Sequence, residues 1–151
     1  MNVWIFQANP KRYDILNALL NSSGEVDRWL VNQHWDKIKT GDVVLMWMSG
    51  VKGGIYAVGE ITSNPLIADD VNALDKYWIN EQDRNKRALI VNLRITAKLV
   101  NNPILRAELK GMPGLQNLSI LRFSQGTNFP VSNDEWIIIA NKIDEHLKND
   151  K

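Results

Sequence analysis

The residues of this sequence most suited to binding chemistry are its tryptophans, six in a chain of 151 residues. Trp4 lies in a run of β-forming residues and Trp136 follows a helix start signal, so both are predicted to be structural. The other four lie beside polar residues in short strands or irregular segments: Trp29, Trp35, Trp47 and Trp78. Such aromatic side chains either pack in a core or line a concave cage in which a flat nucleobase stacks.

Basic residues are concentrated in one part of the chain. The net charge is +1, but residues 84–122 contain eight basic residues and one acidic residue, whereas the segments before and after are net negative. This pattern is typical of a solvated basic face or of a stripe that follows a phosphate backbone. Its modest size favours contact with a few phosphates. The predicted phosphate-binding residues are Arg84, Lys86, Arg87, Arg94, Lys98 and Arg106.

Several kinds of catalytic and metal site are excluded or disfavoured by composition. The absence of cysteine excludes disulfides, thiolate catalysis and cysteine-based zinc sites. The two histidines, His34 and His146, are far apart in sequence. The loop over residues 49–54 has three glycines and a lysine but lacks the spacing of a nucleotide-binding loop, and no nucleophile elbow is present. We therefore predict no catalytic residues, no metal and no cofactor.

Length and hydropathy indicate an ordinary globular protein, 44% hydrophobic and 23% charged. We expect a single domain over residues 1–148, followed by a frayed tail over 149–151. No apolar run approaches the roughly 20 residues that span a bilayer, and the N-terminus lacks the pattern of a secretory signal. The expectation is a cytoplasmic protein, monomeric or weakly homo-oligomeric, with no membrane association.

The elements that position these residues can be read from periodicity and from turn residues. Asn9 and Pro10 predict a helix start, with Asn9 as N-cap. Residues 66–85 are predicted to be irregular or weakly helical, 103–109 to be a short helix, and 123–130 to be a loop. Strands are predicted over residues 2–7, 26–31, 43–48, 55–61 and 88–100.

Two local signals are the strongest. Turn residues predict an antiparallel hairpin over 42–61, and strand 43–48 carries apolar residues on both of its faces, so it should be central in the sheet. Trp47 on this strand could then be a core residue and a pocket floor together. Ser132 and Glu135 form a capping box that predicts a helix over 132–147. The order of elements favours a curved, mixed or antiparallel sheet with flanking helices over a doubly wound parallel sheet.

Three segments together resemble one known family. They are residues 4–14 (WIFQANPKRYD), residues 41–61 with Gly41–Gly50 and Gly53–Ile61, and residues 125–131 (QGTNFPV) leading into the last helix. Together they resemble the EVE domain, a PUA-like domain, over about residues 2–146. EVE domains are similar to YTH domains, which bind methylated adenine in RNA through an aromatic cage.

The resemblance implies an α+β fold, with a small curved PUA-like β-barrel flanked by helices. It implies a non-catalytic module that recognises a modified base, such as methylated or hydroxymethylated cytosine in DNA, or a modified RNA base. Carried onto this chain, it places a cage tryptophan at Trp29. The implied pocket residues are Trp29, Trp47, Ser49, Gly50, Trp78, Gln125, Gly126, Thr127 and Asn128.

Two other functions stay open. Some PUA-like relatives hydrolyse nucleoside amides, and an enzyme of this kind acting on a modified nucleoside would need a base. The candidates are His34, Lys52 and Glu60, and nothing in the sequence places them together. A plain RNA-binding module would use the basic segment alone.

Overall fold

The structure is a computed structural model that describes residues 1–21, 26–68, 77–79 and 87–149. Within these ranges, no helix is both long and apolar enough to cross a membrane. The strands are β1 (Val3–Ala8), β2 (Val26–Leu30), β3 (Val43–Met48), β4 (Gly54–Ile61), β5 (Leu66–Ala68), β6 (Ala88–Lys98), β7 (Ile104–Leu105) and β8 (Asn128–Val131). The helices are α1 (Ile15–Leu20), α2 (Arg106–Lys110), α3 (Ser119–Arg122) and α4 (Asn133–Lys148).

The strands form one mixed, curled sheet in the order β2-β6-β4-β3-β1-β8, with β5 beside β6 and β7 beside β4. Strands β1 and β3 are parallel, with Val3 opposite Val43, and the other pairs are antiparallel. This arrangement confirms the predicted α+β class and the curved PUA-like sheet. The hairpin prediction is also confirmed, because β3 pairs with β4 and Met48 lies opposite Gly54.

Apolar side chains cover both faces of the sheet, as the pattern of β3 predicted. Val44, Met46 and Met48 belong to a first core, which α1 completes. Leu45 and Trp47 belong to a second core, on the opposite face, which receives apolar side chains from α2, α3 and α4. Successive residues of a strand point to opposite faces, so one apolar strand supplies both cores.

The two ends of the strand order are brought together by side-chain amides rather than by a strand ladder. Asn128 of β8 is buried, and its Oδ1 accepts from the backbone N–H groups of Asn32 (2.7 Å) and Gln33 (3.1 Å). Its Nδ2 donates to the carbonyl of Leu30 at 3.0 Å. In return, Gln33 Oε1 accepts from the N–H groups of Thr127 and Asn128. We call this reciprocal network the amide clamp.

The predicted helix start at Asn9 and Pro10 is wrong, because the helix starts later in the chain, at Ile15. The Asn9 carbonyl accepts from the N–H groups of Arg12 and Tyr13 in a turn, and α1 begins only at Ile15 with Asp14 as N-cap. The reason is tertiary: the backbone of Tyr13 pairs with Trp78, so residues 12–14 extend alongside residues 77–79 instead of coiling.

Other boundaries also differ from the sequence expectations. Residues 66–68 form β5 on β6, and the rest of the segment predicted to be irregular lies mostly outside the described residues. Residues 128–131 are strand rather than loop because they pair with β1. Residues 104–105 pair with β4, so the helix predicted at 103 starts at Arg106. The capping box is confirmed, with Ser132 Oγ accepting from Glu135 N at 3.2 Å.

Candidate nucleic-acid interface

A cavity of about 760 Å³ opens where β1 and β3 finish and where the extension of β2 meets the amide clamp. Its size lies within the range of small-molecule binding sites. Strands supply part of its wall: the end of β1 with the turn after it, β2 with its extension, and the start of β6. Ser49 after β3, Trp78 and the loop before β8 supply the rest of the described wall.

One wall of the cavity consists of three aromatic side chains centred on Tyr13. The Tyr13 ring lies edge-on to Trp29, with ring centroids 5.4 Å apart, and to Trp78, with centroids 4.9 Å apart. Edge-to-face packing of this kind fixes each ring relative to its neighbour. The cavity wall therefore offers pre-positioned aromatic surfaces.

Hydrogen bonds between backbones hold this wall in place. Asp14 N donates to the carbonyl of Tyr77 at 2.8 Å, and Ile79 N donates to the carbonyl of Arg12 at 2.9 Å. Trp29 is fixed independently, because its strand β2 pairs with β6 and places it opposite Val91.

The indole N–H of Trp29 is a buried donor without a hydrogen-bond partner among the described residues. Burying an unsatisfied donor costs about 1–3 kcal/mol, and native proteins leave few such groups. The unsatisfied donor therefore belongs to a side chain that lines the cavity.

Three arginines lie among the described residues of the cavity wall. Arg12, Arg28 and Arg87 line it, and none of the described lining residues is acidic. Guanidinium groups present several donors in a plane and suit phosphate oxygens. The cavity therefore combines aromatic surfaces with cations.

Another wall is a polar loop that several hydrogen bonds hold in place. Gln7 Nε2 donates to the carbonyls of Ser124 and Gly126, each at 2.9 Å, and Gln7 N donates to the carbonyl of Thr127 at 2.8 Å. Asn32 Nδ2 donates to Thr127 Oγ1 at 2.7 Å. We call residues 124–127 the ridge.

Comparison with protein families shows that residues 2–142 match the model of the EVE domain. The chain belongs to the EVE domain family. The match includes the cavity walls, the amide clamp and most of α4.

Solved structures share the fold of this EVE domain. A hypothetical protein from Leishmania major is 21% identical, with a TM-score of 0.68 and 97% of each chain covered. The human THYN1 protein in complex with DNA containing 5-methylcytosine is 15% identical, with a TM-score of 0.65, covering 94% of this chain and 97% of that one. An ASCH protein from Zymomonas mobilis is 9% identical, with a TM-score of 0.58, covering 93% and 98%. None of the curated proteins matches the sequence significantly.

The structure brings five of the nine predicted pocket residues of this EVE domain to the cavity. They are Trp29, Ser49, Trp78, Gly126 and Thr127. These residues come from four distant parts of the sequence, which the curled sheet and the ridge place together.

The other four predicted pocket residues lie elsewhere. Trp47 as a pocket floor is wrong: it is 1% exposed in the second core, and the cavity lies on the other side of the sheet. Gly50 occupies an exposed turn with φ of 103°, which favours glycine. The side chain of Asn128 forms hydrogen bonds of the amide clamp. Gln125 lines a separate groove.

Of the predicted phosphate-binding residues that the structure describes, one lines the cavity. Arg87 lines the cavity, and Arg84 and Lys86 lie outside the described residues. Arg94, Lys98 and Arg106 are not among the described residues that line it, and their phosphate contacts stay a prediction. Arg94 Nη2 instead forms an ion pair with Glu60 Oε2 at 3.1 Å.

Sequence reasoning missed Arg12, Tyr13 and Arg28 as cavity residues. Arg12 and Tyr13 lie in one of the segments that resemble the family, but the sequence predicted a helix there. Arg28 directly precedes the predicted cage tryptophan, and this adjacency on β2 was a usable signal.

The candidate catalytic bases do not meet in the cavity. His34 packs against Trp4 with ring centroids 5.3 Å apart, Glu60 pairs with Arg94, and Lys52 lies in the exposed loop after β3. Within the described ranges no group of three or more His, Asp or Glu side chains could hold a metal ion. Trp35 is exposed and outside the cavity.

Proposed function

We propose that this EVE domain is a non-catalytic module that binds a modified nucleobase of DNA or RNA in the cavity. The observation that carries the proposal is that one cavity joins a three-ring aromatic wall to three arginines, with no acid among its described lining residues. A flat base can stack on the rings while its phosphates approach the guanidinium groups.

The free energy gained by stacking a base in the cavity can offset the free-energy cost of extruding that base from a duplex. Taking a base out of a duplex costs a few kcal/mol, and each stack of a base on an aromatic ring returns about 1–3 kcal/mol. One stack on Trp29 and hydrogen bonds to the polar wall can therefore offset the cost. A base in a single strand is easier to bind because less stacking and pairing must be broken.

The similarity to human THYN1 supports the choice of ligand class. THYN1 has the same fold and is bound to DNA that contains 5-methylcytosine. A pocket distinguishes a methyl-sized group by about 1–3 kcal/mol, which gives roughly 10- to 200-fold discrimination. We therefore expect preference rather than absolute selectivity between modified and unmodified bases.

The test compares oligonucleotides that differ only in one base modification. Wild-type protein should bind a strand with 5-methylcytosine or another methylated base more tightly than the unmodified strand, in DNA or in RNA. Trp29→Ala should weaken binding by about 1–3 kcal/mol, measured by fluorescence anisotropy. Trp35→Ala is the matched control, because Trp35 is 63% exposed and lies outside the cavity.

Two results would replace this proposal. Equal affinity for all modified and unmodified strands, unaffected by Trp29→Ala, would indicate a plain RNA- or DNA-binding module that uses only charge. Turnover of a free modified nucleoside, followed by chromatography, would show an enzyme.

A further inference from the structure

A second recess lies on the other side of the ridge from the cavity. This recess, which we call the Phe123 groove, has a volume of about 370 Å³. Its wall combines an exposed aromatic ring, a cation and several amides. The residues that matter for its chemistry are Gln33, Arg122, Phe123, Gln125 and Phe129.

The ridge separates the two recesses by very little protein. Gly126 lines the cavity, and a Cβ added to it would lie 3.3 Å from Gln33 Oε1 and 3.4 Å from Phe129 Cζ, both of which line the groove. Gln7 holds the ridge from the cavity side and Gln33 from the groove side. The two recesses are therefore neighbours across one fixed residue.

The side chains of the groove have a chemistry of their own. Phe123 is 75% exposed, so its ring is open to contact with a ligand. Arg122 beside it is exposed and forms no ion pair with the described residues. None of the described residues that line the groove is acidic.

We propose that the Phe123 groove binds the nucleotide next to the base held in the cavity. The strand crosses the ridge at Gly126, the neighbouring base stacks on Phe123, and Arg122 contacts a phosphate. This assignment rests on the proposed function of the cavity. It commits to a single-stranded nucleic acid, because a neighbouring base can reach Phe123 only when it is free of its duplex partner.

Charge favours this occupant. A strand that leaves an arginine-lined cavity meets Arg122 on the far side of the ridge, and none of the described residues that line either recess is acidic. Stacking on an aromatic side chain accepts any base, so the groove should add affinity without strong sequence preference.

The experiment uses pentanucleotides of DNA and of RNA with a methylated cytosine or adenine at the centre. Each is compared with versions that lack the base on the 5′ or on the 3′ side of the centre. For wild-type protein, one of these two abasic versions should bind about 5- to 150-fold more weakly than the complete strand. Phe123→Ala should weaken binding of the complete strand similarly and should bind that abasic strand no worse than wild type does.

Phe123→Trp is the matched variant, since it keeps a stacking surface and should keep the affinity. Because Phe123 is exposed, neither substitution should change the unfolding midpoint, which thermal denaturation checks. The proposal for the groove is overturned if Phe123→Ala leaves binding unchanged. It is also overturned if the loss persists equally on the abasic strand.

The Trp29→Ala variant separates the two proposals. If Trp29→Ala weakens binding and Phe123→Ala does not, the cavity binds a base and the groove does not contribute. If no pentanucleotide binds wild-type protein, both proposals fail. A Phe123→Ala variant that only converts a dimer to a monomer in sedimentation would show that the groove is a contact between copies, which also overturns its assignment.

Discussion

Trp29 and Trp47 are the same residue type on strands of one sheet, yet they have different environments. Trp47 is 1% exposed and packs in the second core between the sheet and helices α2 to α4. Trp29 packs at the edge of the first core against Tyr13 and faces the cavity. The difference shows that the elements covering a sheet face, rather than the residue itself, decide between a closed core and an open cavity.

Polar groups at the edge of the second core line a surface recess, yet they pair with one another. Glu108 of α2 lies 3.0 Å from His146 Nε2 and 3.2 Å from Lys142 Nζ, both of α4. Partial burial raises the pKa of Glu108, but hydrogen bonds and charge attraction from His146 and Lys142 outweigh it, so the pKa lies below its usual value. These groups satisfy one another, whereas the Trp29 indole N–H in the cavity wall does not have a described partner.

The largest effect that tests this comparison is expected from Trp47→Ala. Removing a large aromatic ring from a closed core usually costs about 3–5 kcal/mol of unfolding free energy. Trp29→Ala should cost less, because part of its ring faces the open cavity. Urea denaturation of both variants measures the difference. Equal losses of stability would contradict the distinction between a closed face and an open one.

A second test concerns the amide clamp, which joins the two ends of the strand order, β8 and the end of β2. Asn128→Ala removes the acceptor for the N–H groups of Asn32 and Gln33 and should destabilise the protein by about 1–3 kcal/mol. Asn128→Asp keeps an acceptor and should retain part of this stability. Hydrogen exchange at Asn32 and Gln33 should accelerate in the alanine variant, and unchanged exchange would show that the clamp does not hold the closure.

The elements predicted correctly are those that local sequence determines. The alternation of β3 and the capping box at Ser132 each depend on residues close together in the chain, and both are confirmed. The predicted start of α1 was wrong because Tyr13 pairs with Trp78, which is far away in the sequence. This pairing competes with the helix signal at Asn9. Long-range pairing of this kind leaves no local pattern.

The candidate site shows the same division. The family resemblance implied Trp29, Gly126 and Thr127, and these residues line the cavity. It also implied Trp47, and the apolar residues on both faces of β3 do not show which face is open. The charge pattern located a basic segment but could not show that Arg94 pairs with Glu60 of the neighbouring strand. Side-chain direction and ion pairing are set by the sheet register, which composition does not contain.

The smallest expected effect is a change in the salt dependence of binding, which distinguishes an arginine that lines the cavity from one that does not. Arg28 lines the cavity, whereas Arg94 lies outside it and pairs with Glu60. If Arg28 contacts one phosphate, Arg28→Ala should weaken binding of modified and unmodified strands alike. The slope of log affinity against log salt should fall by about 0.9 for duplex DNA or about 0.7 for a single strand. Arg94→Ala, the matched control, should leave this slope unchanged. A reduced slope for Arg94→Ala and an unchanged slope for Arg28→Ala would place the phosphate backbone along β6 instead of at the cavity, because counterion release reports only the phosphates that the protein neutralises.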